Sequence, residues 1–103
     1  MKAKKHIVYY PGYYPGTKKK YGEYYELNDK RHREDGPASI CYYESGNIEC
    51  EYYYINGKSH REDNPAVIYY YENGNIKREY YYINDKKLTK QEFDKYKRKR
   101  HLK

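Results

Sequence analysis

The chain has 103 residues, a formal charge of +7, a mean hydropathy of −1.50 and only 37% apolar residues. That length predicts one domain with a modest buried fraction. No apolar run approaches the ~20 residues of a membrane-spanning helix, and the Lys-rich start lacks an apolar h-region, so neither a membrane span nor a signal peptide is expected and the expected location is cytoplasmic.

Leu, Val, Phe and Met are scarce, a composition that by itself points towards disorder. The 19 tyrosines reverse that reading. A tyrosine ring supplies a large apolar body with a hydroxyl that stays wet or finds a partner, and tyrosine favours pleated, half-buried surfaces. The charge is uneven: residues 1–30 carry +4, residues 31–86 carry −3 and residues 87–103 carry +6. The excess positive charge therefore sits at the two ends.

In chain order, His6 to Tyr10 reads as a strand, Pro11-Gly12 and Pro15-Gly16 as turns, and the residues after Lys18-Lys19-Lys20 as a second strand. The next stretch, His32 to Ile55, is written again from His60 to Ile83, offset by 28 positions. A fixed period of this size predicts stacked supersecondary units that bury their apolar faces on one another. Tyr24 to Lys30 matches Tyr52 to Lys58, so residues 1–31 form a degenerate first copy, 32–59 the second and 60–87 the third, with 88–103 a basic capping helix.

Within the complete copies, Ala38–Glu44 and Ile48–Ile55 are predicted strands joined by Ser45-Gly46; Ala66–Glu72 and Ile76–Ile83 are joined by Asn73-Gly74. Both turns suit two-residue type I′ hairpins, and Asn28-Asp29, Asn56-Gly57 and Asn84-Asp85 supply further turns. A short return strand His-Arg-Glu follows, ended by Asp35-Gly36-Pro37 or Asp63-Asn64-Pro65. The fold class is mainly β, an antiparallel hairpin meander with a C-terminal α-helix.

Register places Cys41 across from Cys50 at a non-hydrogen-bonded pair, and Tyr69 across from Arg78 as a cation–π pair. Two free thiols are expected rather than a bridge. By alternation Tyr43, Ile48, Cys50, Tyr52 and Tyr54 share one face; Ile40, Tyr42, Tyr53 and Ile55 share the other. Thr89-Lys90-Gln91-Glu92 is a capping box opening a helix from about Lys90 to near Arg100. Leu88, Phe93 and Tyr96 dock this helix on the last hairpin, leaving Lys95, Lys97, Arg98, Lys99 and Arg100 in water.

At His-Arg-Glu-Asp-Gly-Pro-Ala, Tyr-Tyr-Glu-Asn-Gly and Tyr-Ile-Asn-Gly-Lys the chain resembles MORN-like repeat proteins. It is most similar to the variant found in large DNA viruses, bacteria and mobile elements. The resemblance spans roughly residues 24–96. It departs from the usual pattern in placing Tyr where Trp is common, and Asn64 and Asp85 where Gly is expected. It implies a binding or scaffolding module, with some members linked to lipid or toxin neutralisation.

Chemistry is sparse in the sequence. His32 and His60, with Glu34, Asp35, Glu62 and Asp63, recur once per copy, which a catalytic constellation rarely needs. They read as packing, with His60 facing Tyr53, Arg61 facing Tyr52, His32 facing Tyr25 and Arg33 facing Tyr24. Cys41 and Cys50 lack zinc-site spacing, no phosphate loop or nucleophile elbow occurs, and no cofactor is implied. The chain therefore reads as a non-enzyme.

Two binding readings follow, and a third without a distinct ligand. In the first, Tyr43, Tyr52 and Tyr54 with Tyr71, Arg78, Tyr80 and Tyr82 present an aromatic face to a protein or nucleoprotein. Size, alphabet and resemblance associate this with a phage- or mobile-element-encoded inhibitor of a host defence complex, an anti-CRISPR type of role. In the second, the tyrosines stack on bases while Lys18, Lys19, Lys20 and Lys97, Lys99, Arg98, Arg100 track the phosphates of RNA or single-stranded DNA. The third is a structural or self-associating module, which follows if sheet edges pair between chains.

Overall fold

The computed structural model describes residues 2–10 and 20–101. The chain is mainly β, with ten strands and one helix among the described residues. In order they are β1 (Lys4–Tyr9), β2 (Lys20–Leu27), β3 (Lys30–Arg31), β4 (Ser39–Tyr42), β5 (Ile48–Tyr52), β6 (Tyr54–Ile55), β7 (Lys58–Ser59), β8 (Val67–Tyr70), β9 (Ile76–Ile83), β10 (Lys86–Leu88) and α1 (Lys90–His101). An eight-stranded antiparallel sheet runs β1-β2-β4-β5-β8-β9-β10, with β3 also on β2; β6 and β7 pair separately. The molecule measures 54 × 35 × 17 Å. A sheet so thin has no second β-layer to pack on, so its own rings and the helix must do the burying.

Turn chemistry decides where each strand stops. Asn28 and Asp29, Asn56 and Gly57, and Asn84 and Asp85 all have positive φ, so these expected turns take the two-residue type I′ geometry. Ser45-Gly46 and Asn73-Gly74 differ from that expectation. Only Gly46 (φ 98°) and Gly74 (φ 93°) are left-handed there, and Tyr43 N–H donates to Asn47 O, as Tyr71 N–H does to Asn75 O, both at 2.8 Å. Each loop thus holds three residues, a right-handed turn closed by a left-handed glycine. The extra loop residue is offset in the strand: the ladder shifts between Cys41/Tyr42 and between Tyr69/Tyr70. A bulge at Glu49, and another at Lys77, absorbs the difference.

The two errors cancel, so Cys41 does lie opposite Cys50 and Tyr69 opposite Arg78. Two details are corrected. Tyr53 N–H donates to Ala66 O, and alternation along β5 then turns the Cys50 N–H towards β4, making Cys41–Cys50 a hydrogen-bonded pair. The bulge also moves Ile48 off the Cys50 face to a place across from Tyr42. Both cysteines are free thiols.

The expected His-Arg-Glu strand is not formed. β3 ends at Arg31 and β7 at Ser59, because β4 and β8 take over the same strand edge two residues further on. The chain leaves the ladder at His32 and His60 and returns past Pro37 and Pro65. Burial concentrates where it returns, at Ala38, Ile40, Ala66, Val67 and Ile68, with Cys50 at 4% exposure. The helix begins on the expected capping box: Thr89 N–H donates to Glu92 Oε1 (2.8 Å) and Glu92 N–H to Thr89 Oγ1 (3.1 Å). Phe93, 1% exposed, seats it on Tyr81 with ring centroids 4.5 Å apart.

Gly22 sits between Val8 and Cys41 in the ladder, and a Cβ there would stand 2.8 Å from the Ile40 carbonyl oxygen. That neighbour is backbone and cannot swing aside. Gly22→Ala is expected to lower stability by about 1–3 kcal/mol, read from the midpoint of urea unfolding. An unchanged midpoint would show that β2 and β4 are not held this close.

Candidate functional site

Residues opposite one another in a ladder share a face, so the register separates two surfaces. One carries Glu23, Ile40, Glu51, Ile68 and Glu79. The other carries the row His6, Tyr24, Ser39, Tyr52, Val67 and Tyr80, in register across six strands.

The carboxylate face is closed. Tyr42 donates its hydroxyl to Glu23 Oε1, and Tyr70 donates to Glu51 Oε1 at 2.5 Å. Lys5 Nζ reaches Glu23 Oε2 at 2.9 Å. Glu23 is 6% exposed; burial opposes its ionisation, but the Tyr42 hydroxyl and the Lys5 ammonium outweigh this and hold its carboxyl below the ordinary range. At one end, Arg33 stacks over Tyr25 (4.1 Å) and Arg61 over Tyr53 (3.8 Å), each also donating to a carbonyl, of Pro37 or Pro65, at 3.2 Å.

These contacts correct the expected partners. Arg33 stacks on Tyr25 rather than Tyr24, and Arg61 on Tyr53 rather than Tyr52, because the chain has left the ladder before either arginine. His32 and His60 do not stack on tyrosines. His32 Nδ1 accepts the Asn56 N–H (3.0 Å) and His60 Nδ1 accepts the Asn84 N–H (3.1 Å). An accepting Nδ1 puts the imidazole proton on Nε2, which faces Glu34 or Glu62 at 3.7 and 3.6 Å. Each histidine thus ties its segment to the turn that follows 24 residues on. An open groove of about 610 Å³ lies between the two loops, lined by Arg33, Asp35, Tyr53, His60, Arg61 and Asp63 among others. No cluster of three or more His, Cys, Asp or Glu that could hold a metal ion occurs among the described residues.

The tyrosine face is open and aromatic. Tyr52 and Tyr54 stack at 6.2 Å, and Tyr69 stands edge-on to both Tyr52 (5.9 Å) and Tyr80 (6.3 Å). The Tyr52 and Tyr69 hydroxyls share a 2.6 Å hydrogen bond. Burial first, then that bond, pushes the Tyr52 phenol above its usual range. Tyr82 pairs with Lys87 in the ladder, and Lys87 Nζ lies 4.6 Å from the Tyr80 ring centroid. At the far side of the row, Arg31 covers Tyr24 at 3.7 Å and His6 stacks on it at 4.7 Å. The result is a shallow cavity of about 310 Å³ bounded by Tyr52, Tyr54, Tyr69, Tyr80, Tyr82 and Lys87.

Compared with protein-family models, curated proteins and solved structures, the chain matches none.

Of the residues singled out from sequence, Tyr52, Tyr54, Tyr80 and Tyr82 come together on this face, with Arg78 exposed beside Tyr80. Tyr43 and Tyr71 lie at the hairpin tips: Tyr43 donates to Tyr70 O at 2.6 Å, while Tyr71 is 51% exposed with Lys77 5.8 Å from its ring. Tyr69 does not pair with Arg78 as a cation–π contact; its ring is taken by Tyr52 and Tyr80. Lys18 and Lys19 lie outside the described residues. Lys20 is over Tyr42, on the carboxylate side.

The helix also lies on that side, docked through Tyr81, and two of the cations expected in water have partners. Arg100 pairs with Glu62 (3.4 Å) and Asp63 (3.3 Å), and Lys97 lies 5.4 Å from the Phe93 ring centroid. Arg98 and Lys99 are exposed. The sequence reading missed Tyr24, Tyr69, Arg31 and Lys87 as members of the aromatic row; the alternation that selected Tyr52 and Tyr80 also selects Tyr24 and Tyr69 once partners are counted across the ladder.

The cross-strand phenols make stability sensitive to alkali. Burial, and then the Glu23 or Glu51 carboxylate, raise the Tyr42 and Tyr70 phenols above their ordinary value of 10.0. A proton held more tightly in the folded state stabilises the fold below pH ~10, and that stability is lost as pH rises beyond it. Urea midpoints are expected to fall above pH ~10. Tyr70→Phe should cost about 1–3 kcal/mol at neutral pH and flatten the alkaline fall; an equally steep fall in this variant would remove the pair as its cause.

Proposed function

We propose that this chain is a MORN-like hairpin-repeat protein that acts by non-covalent binding of a macromolecule through its tyrosine face, without catalysis. The repeat reading is supported by geometry recurring at the 28-residue offset: the same loop and bulge at Gly46 and Gly74, the same tyrosine–carboxylate bond at Glu23 and Glu51, and the same histidine acceptor at His32 and His60.

The observation that carries the binding reading is the aromatic row, rimmed by Arg31, Arg78 and Lys87. Tyrosine gives contact area at low entropic cost, and arginine beside it is typical of interface centres. The occupant this chemistry favours is a protein, alone or with its RNA, since the row is aromatic at its centre and its rim carries the Glu26 carboxylate beside Arg31 (3.8 Å) as well as cations. A phage- or mobile-element-encoded inhibitor of a host defence complex is compatible with this chemistry and with the small size of the chain.

Single-stranded RNA recognition needs stacking rings and phosphate-tracking cations on one path. Here the tyrosine row and the basic helix face opposite sides of the sheet, and Arg100 is engaged by two carboxylates. Capture from host extract after nuclease treatment is expected to recover a protein, with Tyr80→Ala/Tyr82→Ala weakening capture by more than about tenfold, the loss typical of central aromatic anchors. In an electrophoretic titration at two salt concentrations, Lys97→Gln/Arg98→Gln/Lys99→Gln should change nothing. A salt-steep RNA complex abolished by that triple change would instead identify a direct RNA binder.

A further inference from the structure

The chain has two cysteines, and the ladder sets them directly against one another: Cys41 on β4 faces Cys50 on β5. Residues opposite in a ladder share a face, and here it is the tyrosine face, one row along from Tyr52 and Tyr80. Gly22, Cys41, Cys50, Tyr69 and Arg78 follow one another across five strands. The sheet does not need sulfur at this position. At the 28-residue offset the same pair is Tyr69 and Arg78, and the strands meet there in the same register with the same bulge beside them. Packing alone therefore leaves the two thiols unexplained.

The two sulfurs differ in access and in acidity. Cys41 is half-buried and Cys50 is 4% exposed. On the flank away from Cys50, the residue opposite Cys41 is Gly22, which sets no side chain beside the Cys41 sulfur. The Cys50 S–H donates to Cys41 Sγ, and that bond holds the Cys41 thiol below its ordinary range against half-burial and the Glu49 carboxylate. The same bond, and then burial, push the Cys50 thiol up. A reagent from solvent thus meets Cys41 first, and Cys41 carries the larger thiolate fraction. Hydrogen-bonded pairs lie about 5.5 Å apart at Cα, inside the roughly 4.4–6.8 Å range of a disulfide. Cβ atoms across a ladder stand about 4.5–5.5 Å apart, and a disulfide takes about 3.5–4.5 Å, so closure must draw the strands together. A bridge formed under that strain is readily reduced again.

We propose that Cys41 and Cys50 form a reversible dithiol–disulfide site that exchanges with a small-molecule disulfide of the glutathione class, Cys41 attacking and Cys50 resolving. The Cys41 thiolate attacks one sulfur of RS–SR. A Cys41–SR bond forms, the S–S bond of the reagent breaks, and RS⁻ leaves to take up the proton that Cys41 has lost. Cys50 then attacks the Cys41 sulfur. The Sγ–Sγ bond forms, the Cys41–SR bond breaks, and the second RS⁻ leaves with the Cys50 proton. The protein gives up two electrons and two protons, and the reagent becomes two RSH molecules. The site lies in the tyrosine face but does not depend on what that face binds.

Intact-mass analysis of the full chain tests this, after incubation with oxidised glutathione, quenching in acid and alkylation of the remaining thiols. The wild type is expected to lose about two mass units, take up no alkyl group and stay a single chain. Excess reduced glutathione should then restore both alkylation sites. Cys50→Ser should stop at one glutathione adduct on Cys41, and Cys41→Ser should form its adduct about tenfold more slowly. A wild type that remains a dithiol overturns the proposal. So do glutathione adducts that accumulate without bridging, a bridge between two chains, or a bridge that excess reduced glutathione does not open. Equal adduct rates in the two serine variants overturn the assignment of Cys41 as the attacking thiol. If circular dichroism shows either variant unfolded, the order of attack is read from wild-type adducts trapped early in acid, which must map to Cys41; an adduct on Cys50 overturns the assignment equally.

Discussion

A tyrosine hydroxyl closing on a carboxylate of the neighbouring hairpin is the contact on which the rest of this sheet depends. Tyr42 on Glu23 and Tyr70 on Glu51 do two things at once. Each half-buried ring reaches across a strand pair, and each hydroxyl satisfies a carboxylate that would otherwise be costly to bury. A molecule 17 Å thick has no opposing layer to perform either task. That explains a composition rich in tyrosine and poor in leucine, which in a thicker domain would be a handicap.

The same constraint sets the two faces apart. On the carboxylate side, phenols, Arg33, Arg61 and the helix all fold inwards onto the sheet, and their polar atoms are used up internally. On the opposite side, among the described residues, the row from Tyr24 to Tyr80 is bordered by the rim cations and by Glu26, which lies near His6 and Arg31. An open aromatic surface in contact with water gains by being covered, and this is the face proposed above to take a partner. The helix seals only one side of the last hairpin, through Phe93 on Tyr81.

Two of the histidines hold the spacing between successive turns. His32 and His60 each accept a backbone N–H from the next turn, at Asn56 and Asn84. With Nδ1 so occupied, the imidazole is a spacer of fixed length between successive turns. Arg31 O and Ser59 O accept the Gly57 and Asp85 N–H groups beside them, so the turns stack as a column along one margin of the sheet.

Much of this was legible in the sequence, for local reasons. Strand-favouring residues between turn dipeptides, the left-handed tolerance of Asn and Asp, and the capping box of Thr89 and Glu92 act over a few residues, and period-2 alternation then assigns faces. What escaped depended on counts that only three dimensions resolve. The loop at Gly46 took a third residue and the bulge at Glu49 took it back, so Cys41 met Cys50 while Ile48 changed sides. Arg33 and Arg61 found different rings because a neighbouring strand displaced them from the ladder. The separation of the basic helix from the tyrosine row was likewise decided by tertiary structure. It follows from which face a strand turns towards its neighbour, and that is a property of the assembled sheet rather than of any stretch of chain.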